Sequence, residues 1–243
     1  MPETELWITK LFNDNLAGLG NTLTGLVGMA PEARPWANFV TMELLVALII
    51  VVLFAILKPR LSADRPGGLQ HTCELLYGFF KQQAEDQMRH DAPHYLAYCG
   101  TIFIFVLLCN LIGIVPGMES PTMTPSVTAG CAIATFFYYN LVGLQANGVL
   151  KYPAHFAGPV WWLAPLMIPI EIASHLARPL SLTIRLFANM FAGEQVTVVF
   201  LKLTFFLVPV VFMGLHVFVS FLQAYVFMLL TMMYVAGAVE HEH

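Results

Sequence analysis

Residues 171–194 read EIASHLARPLSLTIRLFANMFAGE, from Glu171 to Glu194, and the place of Arg185 in that stretch decides the kind of fold to expect. Leu182, Ile184, Leu186, Phe187, Met190 and Phe191 surround it. A guanidinium stays protonated, and at the centre of a bilayer helix it costs at least ~2.5–3.5 kcal/mol on insertion scales. Residues placed at that expense mark ion or proton pathways by default, so the stretch points to transport chemistry inside a membrane.

The rest of the chain agrees. Its 243 residues are 58% hydrophobic and 11% charged, and the mean hydropathy is +0.72. That is far from the balance of a soluble globular domain and predicts an all-α integral membrane protein forming one membrane domain over 1–243. The net charge of −4 is spread over 15 acidic and 11 basic residues, with no basic tract to suggest a nucleic-acid partner. Cys73, Cys99, Cys109 and Cys131 lack metal or CxxC spacing and read as packing residues. The N-terminus carries Glu3 and Glu5 without a basic region before a short apolar core, so no cleaved signal is expected.

Residues 1–37 mix polar, Gly and Pro positions, and Phe39–Leu57 then gives a first span (38–57) interrupted by Thr41 and Glu43. Residues 58–94 hold Lys58, Arg60, Arg65, Lys81 and Arg89. Leu69, Cys73, Leu76, Phe79 and Phe80 recur there at helical spacing, which predicts an amphipathic interfacial helix. Tyr95–Val115 and Val127–Leu150 are uncharged and predict a helical hairpin over 95–150, joined by a loop with Pro116, Pro121 and Pro125. The loop between these spans carries no Lys or Arg, whereas 58–91 carries five and Lys151 follows the third span. The positive-inside rule then puts 58–91 in the cytoplasm and 1–37 outside.

Residues 160–239 supply two further elements. Val160–Lys202 is apolar but studded with Glu171, His175, Arg178, Arg185 and Glu194, and Leu203–Val239 has no charged residue. Counted from Pro209 alone, the last helix is ~45 Å long against a hydrocarbon core of ~30 Å, so it must tilt, kink or bend. About five crossings put the tail Glu240–His243 in the cytoplasm. No internal repeat is visible, which disfavours an inverted-repeat transporter.

On an ideal helix Glu171, Arg178 and Arg185 share one stripe with Ser174, Ser181 and Asn189, while Glu194 points to nearly the opposite side. Pro179 is expected to bend that helix and blur the register. His216, Ser220 and Gln223 form a matching stripe on the last element, with Glu194 and Arg185 as natural partners. A carboxyl and an imidazole can exchange protons near neutral pH, so Glu194 and His216 are candidate proton carriers and Arg185 a fixed charge. The plainer alternatives are interhelical hydrogen bonding for His216, Gln223, Asn110 and Asn140, and a structural Glu171–Arg178 ion pair. Glu43 reads as a solvated or snorkelling charge. No pair among the remaining histidines has metal geometry, and no nucleophile motif supports an intramembrane enzyme. An independent transporter binding an anion at Arg185 is the competing class.

The run from Arg178 to Glu194, with Pro169-Ile-Glu171 upstream and His216 and Leu222–Met228 downstream, resembles subunit a of F-type ATP synthases, most strongly over 163–235. The resemblance implies a non-catalytic, cofactor-free stator subunit in a bacterial plasma membrane. Its last two helices would lie long and tilted against a ring of c subunits, with peripheral-stalk b subunits and lipid as further neighbours. It implies that Arg185 faces the ring carboxylate. Glu194, His216, Gln223 and Asn189 would belong to an outer half-channel, and Glu171, Ser174, Ser181 and His175 to a cytoplasmic one. Gly113 stands where some relatives carry an acidic residue, and the stretch Pro121–Ser126 lacks the Asp and Asn often found there. That departure gives Glu119 a substitute role at the outer mouth.

Overall fold

The computed structural model describes residues 5–26, 28, 30–62, 67–88, 92–115, 117–148, 164–203 and 207–239. Arg65, Arg89, Lys151 and the tail 240–243, which bear on the orientation expected above, lie outside the described residues. The described residues form α1 (Trp7–Leu26), α2 (Asn38–Leu57), α3 (Gly68–Met88), α4 (Ala92–Ile112), α5 (Pro125–Asn147), α6 (Ala164–Leu203) and α7 (Leu207–Val239). Among them, α2, α4, α5, α6 and α7 are long and apolar enough to cross a membrane.

α7 is the centre of the bundle, packed against α3, α4, α5 and α6. Ala224, Phe227, Met228 and Met232 enter one core with Phe103 and Val106 of α4 and Leu182, Leu186 and Met190 of α6. The spacing of these positions on α6, four residues apart, turns one stripe inward. The opposite face of α6 stays open, with Leu180 60% and Ile184 55% exposed. Only 11% of the most apolar window of α6 is buried, against 44% for α5. In water such a face would be untenable, so its solvent is lipid or another apolar surface.

α6 has 40 residues and α7 has 33. At 1.5 Å per residue they measure ~60 and ~50 Å, longer than a ~30 Å hydrocarbon core, so both must run obliquely if they cross it. α6 remains helical through Pro169 and Pro179. One turn beyond the second proline, the Thr183 hydroxyl donates to the Pro179 carbonyl at 2.8 Å.

α1 is a helix that the polar and Gly-rich composition of 1–37 concealed. It is clasped to the start of α2 by Thr9–Thr41 at 2.7 Å and by Asn13, which donates to the Trp36 carbonyl at 3.1 Å and accepts from its N–H at 3.0 Å. Leu16 leaves helical geometry at φ −124°, ψ 17°, and its carbonyl accepts the Trp36 indole N–H at 2.9 Å.

α3 is amphipathic as expected, but its buried stripe runs through Gln70, Phe80 and Ala84, whereas Leu69 is exposed. Phe80 meets Phe103 edge-on at 5.0 Å, and Gln83 accepts from Tyr225 at 3.0 Å. It thus packs on α4 and α7. Glu43 is half-buried and lines a cavity of about 390 Å³ with Phe39, Ile102, Phe105, Gly130 and Cys131, so it faces α4 and α5.

Candidate ion path

The polar groups of α6 and α7 fall into two clusters with Arg185 between them. Glu171 and Glu194 are 23 residues apart on one helix, ~35 Å at 1.5 Å per residue, comparable to the membrane itself.

The first cluster sits at the Glu194 end. Gly193 lets α7 approach closely: a Cβ there would lie 2.7 Å from His216 Nδ1. The imidazole therefore packs on the α6 backbone beside Glu194. Glu194 and His216 open onto a cavity of about 290 Å³ with Gly113, Met118, Thr197 and Met213. Glu194 Oε2 is shielded from solvent and has no hydrogen-bond partner among the described residues. A buried carboxyl oxygen left unsatisfied is costly, which suits a group that exchanges a proton or meets water from the adjoining cavity.

A network from the α4–α5 loop supports this cluster. Asn110 donates to the Ser220 carbonyl at 3.3 Å and accepts from the Thr122 hydroxyl at 2.7 Å. Thr122 contacts Ser120 at 2.7 Å. Asn110 thus bonds a neighbouring helix as the sequence suggests, whereas the Asn140 amide donates within its own helix, to the Phe136 carbonyl at 2.7 Å. Ser120 also explains why Gly113 has no side chain: a Cβ at Gly113 would stand 2.9 Å from the Ser120 backbone nitrogen. An acidic residue cannot occupy this position without moving the loop. Glu119 follows in the same loop, accepts from Asn38 at 3.3 Å, and lies within electrostatic reach of Glu194.

Towards the middle, Asn189 donates to Gln223 at 2.8 Å. Gln223 therefore bonds Asn189 and not Arg185, the partner the facing stripes suggested. The Ser220 hydroxyl turns to Met190 Sδ at 3.8 Å. The Arg185 guanidinium is 3.5 Å from Ser181 Oγ. Among the described residues no carboxylate lies within salt-bridge distance of it. Its helix neighbours Ile184 and Ala188 belong to the open face of α6.

The second cluster lies at the Glu171 end. Glu171 Oε1 is 3.4 Å from His175 Nε2, and His175 Nδ1 is 3.2 Å from the Tyr139 hydroxyl. Arg178 lies 5.9 Å from the centre of the Tyr139 ring and 5.3 Å from that of Tyr234. The expected Glu171–Arg178 pair is thus replaced by a Glu171–His175 pair and by cation–π contacts of Arg178. Ser174 and Ser181 are exposed on the same helix. Sequence reasoning missed Tyr139 and Tyr234, since a tyrosine in an apolar span gives no charge or period to mark it. Among the described residues no three His, Cys, Asp or Glu side chains are grouped as a metal ion would need.

The described residues define an all-α, multi-pass membrane protein with two polar clusters along its longest helix. The chain belongs to the ATP synthase A chain family, whose model matches residues 40–236. It is 78% identical to ATP synthase subunit a of Solibacter usitatus over 96% of this chain and all of that one. With the subunit of the same name from Koribacter versatilis it shares 47% identity over 98% of each chain. Geobacter sulfurreducens supplies another at 43%, covering 87% of this chain and 91% of that one. The chain is thus a membrane component of an ATP synthase, of bacterial type, and serves ATP synthesis and proton transport.

Proposed function

We propose that this subunit is the non-catalytic stator of a rotary ATP synthase and carries two offset proton half-channels separated by Arg185. The observation that carries the reading is the placement of Arg185. A permanent cation stands near the middle of a helix of membrane-spanning length, without a carboxylate partner among the described residues, beside an open apolar face. No counter-charge for it stands among the described residues, and a ring of c subunits bearing a membrane-embedded carboxylate fits that need.

Protons enter from outside through the cavity at Glu194 and His216, with Glu119 at its mouth, and pass Gln223 and Asn189 to the ring. The neutralised ring subunit then moves into lipid, where a charged carboxylate is strongly disfavoured. After nearly a full turn it reaches Ser181, Ser174, His175 and Glu171, loses its proton to the cytoplasm, and is drawn past Arg185 as an anion. The fixed guanidinium stabilises that anion and repels a proton crossing directly. Each charge moved supplies ~2.3 kcal/mol per 100 mV. The orientation follows from Lys58, Arg60 and Lys81 after α2: the N-terminus lies outside and the C-terminus in the cytoplasm of a bacterial plasma membrane. Peripheral-stalk b subunits complete the stator.

Cysteine accessibility tests the two channels. In the assembled complex with Cys73, Cys99, Cys109 and Cys131 replaced by alanine, Thr197→Cys should react with a polar thiol reagent from outside only. Ser174→Cys should react from the cytoplasmic side only. Labelling of both from one side would contradict offset half-channels.

A further inference from the structure

We infer that Tyr139 of α5 is a positioning residue of the cytoplasmic half-channel: its hydroxyl holds His175 in the tautomer that presents Nε2–H to Glu171. The inference rests on the half-channel reading above and adds a residue from a helix outside the α6–α7 pair.

One hydrogen bond, one ion-pair contact and their chemistry carry it. His175 Nε2 lies 3.4 Å from Glu171 Oε1, and a carboxylate only accepts, so that nitrogen carries the proton. Nδ1 of the neutral ring is then an acceptor, and the group 3.2 Å away is the Tyr139 hydroxyl, which can donate. Arg178 agrees with that direction. It lies 5.9 Å from the centre of the Tyr139 ring, and a guanidinium only donates, so it does not compete for the Tyr139 proton. Tyr139 is itself 1% exposed and held among Val142, Val235 and Ala238, so the hydroxyl has a fixed origin.

Against His175 stand Tyr139 from α5 and Glu171 on its own helix, while Arg178 and Tyr234 of α7 lie against the Tyr139 ring, with Tyr95 of α4 in the same aromatic cluster. Exposure falls inward, from 39% for the Glu171 side chain to 13% for that of His175. Glu171 is thus the more accessible member, and His175 the one that orients it. The array places a neutral donor against the carboxylate that exchanges protons with the cytoplasm: Glu171 takes a proton from water on one side and returns it to water on the other. Loss of the Tyr139 hydroxyl leaves the imidazole free to change tautomer or turn, and the contact to Glu171 goes with it.

Tyr139→Phe tests this, because it keeps the ring under Arg178 and removes the oxygen alone. Rates of ATP-driven proton uptake are measured on inverted vesicles with assembled complex across a series of cytoplasmic-side pH values. The expected result is a roughly three- to tenfold lower rate, with the half-maximal pH moved by at least ~0.5 unit. Tyr139→Phe should add nothing in a His175→Gln or Glu171→Gln background. Wild-type rate and profile for Tyr139→Phe, or effects that multiply in the double variants, would overturn the positioning role. If His175→Gln and Glu171→Gln themselves pump as wild type, the placement of the cytoplasmic half-channel fails as well, and the inference falls with it.

Discussion

Gly193→Ala is the sharpest structural test of the outer cluster. The added methyl would stand 2.7 Å from His216 Nδ1 and 3.3 Å from Cε1. A normal contact between such atoms is about 3.5–4.0 Å, so the ring must retreat by roughly 1 Å. His216 is 7% exposed, so the ring can retreat only into the cavity it shares with Glu194, away from its native position. Overpacking of this kind costs about 1–3 kcal/mol, or ~5–150-fold in the occupancy of the native ring position. ATP-driven acidification of inverted vesicles should therefore fall by at least ~5-fold while the complex still assembles. The control is Gly193→Ala combined with His216→Ser, which removes the clash; it should behave as His216→Ser alone. Wild-type pumping by Gly193→Ala in an assembled complex, or a double variant markedly worse than His216→Ser, would refute the packing of His216 on Gly193.

Other substitutions probe the remaining contacts. Gly113→Asp should lower the yield of assembled complex, because its Cβ would meet the Ser120 backbone nitrogen at 2.9 Å; immunoblotting of purified complex against the ring reads this directly. Asn189→Ala and Gln223→Ala should be coupled by ~0.5–1.5 kcal/mol in thermal stability of the complex, through the bond at 2.8 Å. Arg178→Ala should remove cation–π contacts of ~0.5–2 kcal/mol and slow pumping less than Arg185→Ala does, measured side by side in vesicles.

The sequence made the membrane class, the five spans and the amphipathic α3 legible, because each rests on long apolar runs and a helical period. Glu194, His216 and Gln223 were legible for the same physical reason: polar groups are rare in such runs and stand out. Their partners were not. Gln223 reaches Asn189, and Arg178 leaves Glu171 for Tyr139 and Tyr234, choices set by how α5 and α7 pack on α6, which periodicity within one helix does not contain. α1 was hidden because its anchors, Thr9 and Asn13, are polar residues satisfied by Thr41 of α2 and by Trp36 just before it, so a composition scan reads them as loop. Gly113 carried a signal as an apolar gap in the outer mouth, but its cause, the Ser120 backbone, lies in a loop whose approach only three dimensions reveal.

The role of Arg185 admits the most direct measurement: ATP-driven acidification of inverted vesicles bearing Arg185→Ala, with retention of the ring checked by co-purification. A fixed charge that mediates between two half-channels predicts no net pumping by an intact complex. Pumping at the wild-type rate by Arg185→Ala in that complex would contradict it.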